Sequence, residues 1–196
     1  MAKADSGTSR RERNKTVRWV VTIFITTIFV SGAISLISDA VMENSSIAVA
    51  FLILLAIVLV GIVFDVIGVA VTSADEKPFH SMAARKVPGA REAISLLRGA
   101  ERVSSICNDV VGDICGVVSG SASATIASQI LTHFTFSWPQ VVSLVMSALV
   151  AALTVGGKAI GKTFAIRSCT AIVHSVGRLI YTWNHFRMLF RKKKES

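Results

Sequence analysis

Long apolar runs alternate with short polar ones along this chain, and that alternation predicts its elements. A helix needs about 20 mostly apolar residues to cross the hydrocarbon core of a bilayer. Residues 19–38 supply such a run with no charged side chain. A second run, 47–71, is interrupted only by Asp65. A third, 103–131, is longer and poorer, carrying Asp109 and Asp113 among many small residues. The fourth, 138–157, is clean, with Lys158 and Lys162 at its end. The pattern predicts an all-α membrane protein with four transmembrane helices. The first run exceeds a signal peptide's apolar core and shows no small-residue cleavage site, so it is expected to be a retained anchor.

Two polar stretches have a period of their own. Phe79 to Leu97 repeats at helical spacing and is broken by the turn signal Val87-Pro88-Gly89. This predicts short surface helices within 75–102. After Thr163, the residues Ile172, Val176, Leu179, Trp183, Phe186 and Phe190 recur in alternating steps of four and three. Arg167, His174, Arg178 and His185 lie largely on the other face. An amphipathic helix is expected within 164–196, its terminal cluster Arg191-Lys192-Lys193-Lys194 drawn to anionic membrane lipid. A helix that packs on the bundle fits the same pattern.

Charge orients the spans. The chain is 52% hydrophobic, yet it carries net charge +9. Six of its 21 Lys and Arg residues lie in 1–18, six in 75–102 and nine after Val155. The loops at 39–46 and 133–139 contain none. All the positive charge thus falls on one side, as the positive-inside rule requires for a multi-pass protein of the cytoplasmic membrane with both termini inside. The basic flanks account for the charge, and no nucleic-acid partner is expected.

Chemistry-bearing residues are few. Cys107, Cys115 and Cys169 form no Cys-x-x-Cys pair, so neither a disulfide framework nor a zinc site is expected. The four histidines are dispersed, no Ser-His-Asp set is placeable, and enzyme activity is not expected. Gly156-Gly157-Lys158-Ala159-Ile160-Gly161-Lys162-Thr163 fits the P-loop pattern, which cradles nucleotide phosphates. A working P-loop follows a buried strand and needs a magnesium-holding acid further along. Here a spanning run precedes it, and the one acid after Thr163 is Glu195. No bound nucleotide is expected.

From the second span onward the chain resembles the transmembrane domain of the CNNM/CorC (CorB-like) magnesium and cobalt transporters. That family's first core helix carries a Ser…Glu-x-Ala-Leu-x-Ser pattern, matched in frame by Gly68-Val69-Ala70-Val71-Thr72-Ser73. Its juxtamembrane Gly-Ala-x-x-Ala-x-x-Leu-Leu is matched by Gly89-Ala90-Arg91-Glu92-Ala93-Ile94-Ser95-Leu96-Leu97. Glu101-Arg102, Ser104 and Asn108 follow in the family's order. Its third core helix ends in Gly-Glu-x-x-Pro-Lys-Thr, and Gly157-Lys158-Ala159-Ile160-Gly161-Lys162-Thr163 fits that frame without a gap. The resemblance covers residues 47–190. It implies an extra N-terminal anchor at 19–38, a three-helix core within 47–163, a homodimer and divalent-cation transport. The CBS regulatory pair usual in the family has no counterpart here.

Three family-site positions are substituted: Gly68 and Lys158 stand where glutamates are expected, and Gly161 where proline is. Magnesium wants hard oxygen ligands, and an ammonium in their place repels it. Against that loss the chain adds carboxylates within its spans, which mark functional sites by default. Asp109 and Asp113 are four residues apart and are expected to share one helix face. Asp113 lies roughly 15 Å in from Val103, about mid-bilayer. Two readings stand open. Asp65, Asn108, Asp109 and Asp113 form a cytoplasm-open cation site, with bound magnesium; or Lys158 or Lys162 pairs with these acids in a non-transporting, structural or regulatory relative. The row Gly112, Gly116, Gly120 and Ala124, like Ser143, Ser147 and Ala151, is expected to permit close helix packing. Small residues around Asn108 are expected to permit a helix irregularity there.

Overall fold

Apolar helices in lipid satisfy their own backbone groups, and the described residues form helices joined by short turns. The structure is a computed structural model that describes residues 5–43, 45–133 and 138–194, with side chains over 17–42, 45–133 and 138–187. No strand occurs among the described residues. Four helical stretches are long and apolar enough to cross a membrane: Val17–Met42, Ile47–Ser73, Ala100–His133 and Pro139–Arg167. They match the four predicted runs, and three of them extend well beyond the expected limits. Helix α1 (Asp5–Glu43) continues its span back through the basic segment, and α2 covers Ile47–Ser73.

The predicted surface helices are α3 (Lys77–Ala84) and α4 (Ala90–Arg98). Asp75 Oδ1 accepts a 3.2 Å bond from the Lys77 amide at the head of α3, and Pro78 sits in its first turn. The chain leaves α3 through Lys86 at φ 58°, and Gly89 at φ 86° turns it into α4, so the Val87-Pro88-Gly89 break falls where expected. Glu76 ties the two together, accepting from Arg98 Nε at 3.2 Å.

The third span is a single rod in three parts. α5 (Ala100–Ser105) runs into a π-helical segment, Ile106–Gly112, and that into α6 (Asp113–His133). The irregularity expected around Asn108 is this π segment. The fourth span, α7 (Pro139–Arg167), carries straight through Gly156–Thr163, so the P-loop-like stretch is helix throughout. One residue, Ser168, interrupts the helix before α8 (Cys169–Lys194). The expected amphipathic helix therefore begins later than 164. Phe190 and the Arg191–Lys194 cluster lie outside the described side chains.

Side chains pack in two apolar clusters. Met42, Leu54, Val58, Ile126, Met146 and Val150 belong to one, where α1, α2, α6 and α7 meet. Val71, Phe79, Ala93, Ala165 and Val173 belong to the other, at the end where α3, α4 and α8 gather. Gln129 Nε2 links α6 to α1 by donating to Met42 O at 2.7 Å. Between the clusters, the faces of α2, the π segment and α7 that meet hold glycines and polar residues.

Glycine sets the helix spacing at different positions from those expected. Gly116 and Gly120 have nothing within 4 Å of where a Cβ would stand. The tight approaches are instead at Gly61, 2.9 Å from Cys115 Cβ, and Gly161, 2.7 Å from Val66 Cγ2. The α4–α8 crossing is closer still. A Cβ on Gly177 would lie 2.5 Å from Gly89 O and 3.0 Å from Ala93 N, both backbone atoms with nowhere to move. Gly177→Ala is accordingly expected to lower stability by about 1–3 kcal/mol through overpacking. Denaturation in mixed micelles measures it, and a midpoint equal to wild type would show that the crossing is looser than described.

Candidate functional site

The gap between the two clusters is where α2 meets the π segment. The helices run antiparallel there, and their register is fixed at two points. Gly61 faces Cys115, and Gly68 faces Asn108. Asn108 occupies the space a side chain on Gly68 would need: a Cβ there would overlap its Oδ1 and lie 2.8 Å from its Cγ. Gly68, in place of the glutamate expected from the resemblance, is thus what admits Asn108. Its Nδ2 donates to Ser104 Oγ at 3.1 Å, but its Oδ1 is buried with no hydrogen-bond partner.

Asp65 lies one turn before Gly68 on the same face of α2. It is 4% exposed, and its Oδ2 also has no partner. Residues three apart on a helix have Cβ atoms about 5–6 Å apart, which puts the Asp65 side chain within roughly 8 Å of the Asn108 amide. Two buried acceptor oxygens therefore stand near each other, neither facing a donor. Leaving such groups unpaired costs about 1–3 kcal/mol each, more for a charge.

Asp109 and Asp113 do not join them. The two share a face, as their spacing requires, but both are exposed and that face turns away from α2. Asp109 Oδ2 accepts from Ser105 Oγ at 2.8 Å. The physical reason is steric: the α2-facing side of the π segment and α6 is already taken by Asn108, Gly112 and Cys115, and acids on the flank cannot also reach it. Among the described residues no three His, Cys, Asp or Glu side chains come together as a metal cluster. Of the four expected residues, Asp65 and Asn108 hold buried oxygens on the sides of α2 and the π segment that meet. Asp109 and Asp113 are exposed on another face.

Lys158 reaches the same region from α7. Its Nζ lies 3.3 Å from where a Cβ on Gly112 would stand. The other atom near that position is Cys107 O at 3.4 Å, so the ammonium stands over the π segment one helical turn from Asn108. Lys158 and Asp65 form no ion pair, nor does Lys162 pair with any of the three acids; the described ion pairs are His80–Glu76 and Arg98–Glu76. Gly161, standing where the resembled motif has proline, packs against Val66 and Ile62 of α2. It sets the approach of α7 to α2 and offers no ligand.

Sequence reading missed the contribution of Gly112, taken there only as one of a packing row. The signal was present in the coincidence of a glycine four residues after Asn108 with a lysine on the facing span. If Gly68 makes room for Asn108, then Gly68→Ala is expected to expel the amide and destabilise the protein by about 1–3 kcal/mol. Adding Asn108→Ala should recover most of that loss, and two additive penalties in the double-variant cycle would refute the contact. Comparison with protein-family models, with curated proteins and with solved structures gave no match to this chain.

Proposed function

We propose that this protein binds a hydrated divalent cation, magnesium first, inside the membrane and carries it across. Asp65 and Asn108 are the protein ligands, and the end bearing α3, α4 and α8 faces the cytoplasm. The observation that carries the reading is the pair of buried, donor-free oxygens, Asp65 Oδ2 and Asn108 Oδ1, at the α2–π crossing. Magnesium keeps several waters and is commonly held by one or two carboxylates, so two protein oxygens are a sufficient inner set. π segments recur at functional sites because the extra residue in the turn frees backbone and side chains for a ligand. The CNNM/CorC resemblance points to the same chemistry. At the cytoplasmic surface, exposed Leu179, Trp183 and Phe186 on α8 support the expected contact with lipid.

A second reading rests on Lys158. Its ammonium stands over Gly112 on the third span, whose neighbouring turn meets α2, and pairing with an acid of that region would put a tethered cation in place of a free one. The protein would then be a non-transporting membrane subunit.

Thermal melting and dye-reported flux in proteoliposomes separate the two. On the cation reading, millimolar magnesium raises the melting temperature of wild type, and Asp65→Asn abolishes both that rise and the flux. Without magnesium Asp65→Asn should melt higher than wild type, because it removes an unpartnered buried charge. Asp113→Asn, on the outward face, should leave binding intact. Should wild type neither bind nor transport magnesium while Lys158→Glu gains binding, the tethered-lysine reading replaces the first.

A further inference from the structure

The outward faces of α1, α2 and α7 carry large apolar side chains, among them Phe24, Phe29, Leu52, Leu59, Leu144 and Leu149. Contact with hydrocarbon requires no less. The outward face of α6 is different: Asp113, Gly120, Ala124 and Ser128 are exposed there, with Val117 its one large apolar residue. Beside this face a groove of about 200 Å³ runs between α6 and α7. Ser119 and Ser123 line it from α6, and Ser147 and Thr154 from α7, among Gly116, Gly120 and Ala151. Ser123 is fully buried, and its Oγ, on the groove wall, has no hydrogen-bond partner.

Lys158 stands about one helical turn beyond the residues that line the groove. On α7 the positions Ser147, Ala151, Thr154 and Lys158 follow steps of four, three and four, which is one face of a helix. On α6 the wall runs from Ser123 through Gly120 and Gly116 toward Gly112, over which the ammonium sits. Lys158 is half-buried and makes no ion pair among the described residues. An ammonium has three donors and cannot sit unsolvated at this depth. The groove, at about 30 Å³ per water, holds roughly six or seven molecules.

We infer that the α6–α7 groove is a water-filled vestibule, open at the end of the bundle away from α3, α4 and α8. It closes on Lys158, whose charge draws small hydrated anions to its foot. Hydroxyls on both walls replace the bulk-water contacts of the column, and Ser123 Oγ finds its missing partner in it. The inference stands apart from the cation reading, because it uses neither Asp65 nor Asn108. If both hold, Lys158 is the barrier between an outer aqueous path and an inner cation site.

Single cysteines at Ser147, Thr154 and, as a lipid-facing control, Leu149 test this in nanodiscs with charged thiol reagents, the labelled position being read from peptide masses. Ser147→Cys should react fastest, Thr154→Cys more slowly because it lies deeper, and Leu149→Cys not at all. At Thr154→Cys a sulfonate-bearing methanethiosulfonate should outpace a trimethylammonium-bearing one by about tenfold, and Lys158→Met should remove that preference. Ser147 is exposed, so its substitution requires no repacking. If Ser147→Cys and Thr154→Cys are as inert as Leu149→Cys, the groove is not wet. Should Ser147→Cys instead form an intermolecular disulfide and resist the reagents, a second copy of the chain covers it and the vestibule is refuted. None of these readouts involves magnesium, so failure here leaves the Asp65 result untouched, and the reverse.

Discussion

The close approach of α2 to its neighbours is the constraint on which the rest of this structure depends. Lipid tails are as apolar as leucine, so helices in a membrane gain little from hydrophobic burial against one another. What holds them is van der Waals contact and polar bonding, and both need backbones brought near. Gly61 and Gly68 bring α2 against the third span, and Gly157 and Gly161 bring α7 against α2. A side chain at any of these four positions would meet Cys115, Asn108, Ile62 or Val66. Once the backbones are that close, the space between them is too small for large apolar residues. At Gly68 an amide, Asn108, fills it instead, while Ile62 and Val66 lie against Gly157 and Gly161.

That geometry explains why the apolar core is divided. The cluster around Val58 and Ile126 and the cluster around Val71 and Phe79 each resemble an ordinary helix-bundle core. The layer between them contains Asp65 and Asn108 with unmet acceptors, and Lys158, which makes no ion pair among the described residues. The π segment belongs to the same layer, since a widened turn is how a helix presents extra side chains at one level. Local stability has been given up where polar chemistry is concentrated, a combination typical of sites that bind or conduct.

Much of the architecture was legible in the chain because it depends on local composition. Apolar length announced the four spans, the Val87-Pro88-Gly89 signal announced the break between α3 and α4, and softness around Asn108 announced an irregular turn. The sequence placed Asp65 and Asn108 together in one expected site. Asp109 and Asp113 were assigned to the same site because their spacing put them on one face, and it does. Which way that face points is a property of how three helices dock, and i,i+4 spacing carries no information about it. The glycine row misled for the same reason: Gly116 and Gly120 are spaced for packing, yet they border an open groove, while isolated glycines on α2 and α7 make the close contacts.

The sequence by itself determined the all-helical class, the number of spans, the one-sided distribution of basic charge and the presence of ionisable groups at membrane depth. These follow from hydropathy, helical period and the cost of placing charge in hydrocarbon, each of which acts residue by residue. Only the tertiary structure decided that Asn108 fills the space over Gly68, that Lys158 stops over Gly112, and that the serines of α6 and α7 share a groove. Those are relations between helices far apart in the chain, set by which backbones come close enough to exclude side chains. In this protein that choice was made by the absence of a Cβ at Gly61, Gly68, Gly112 and Gly161.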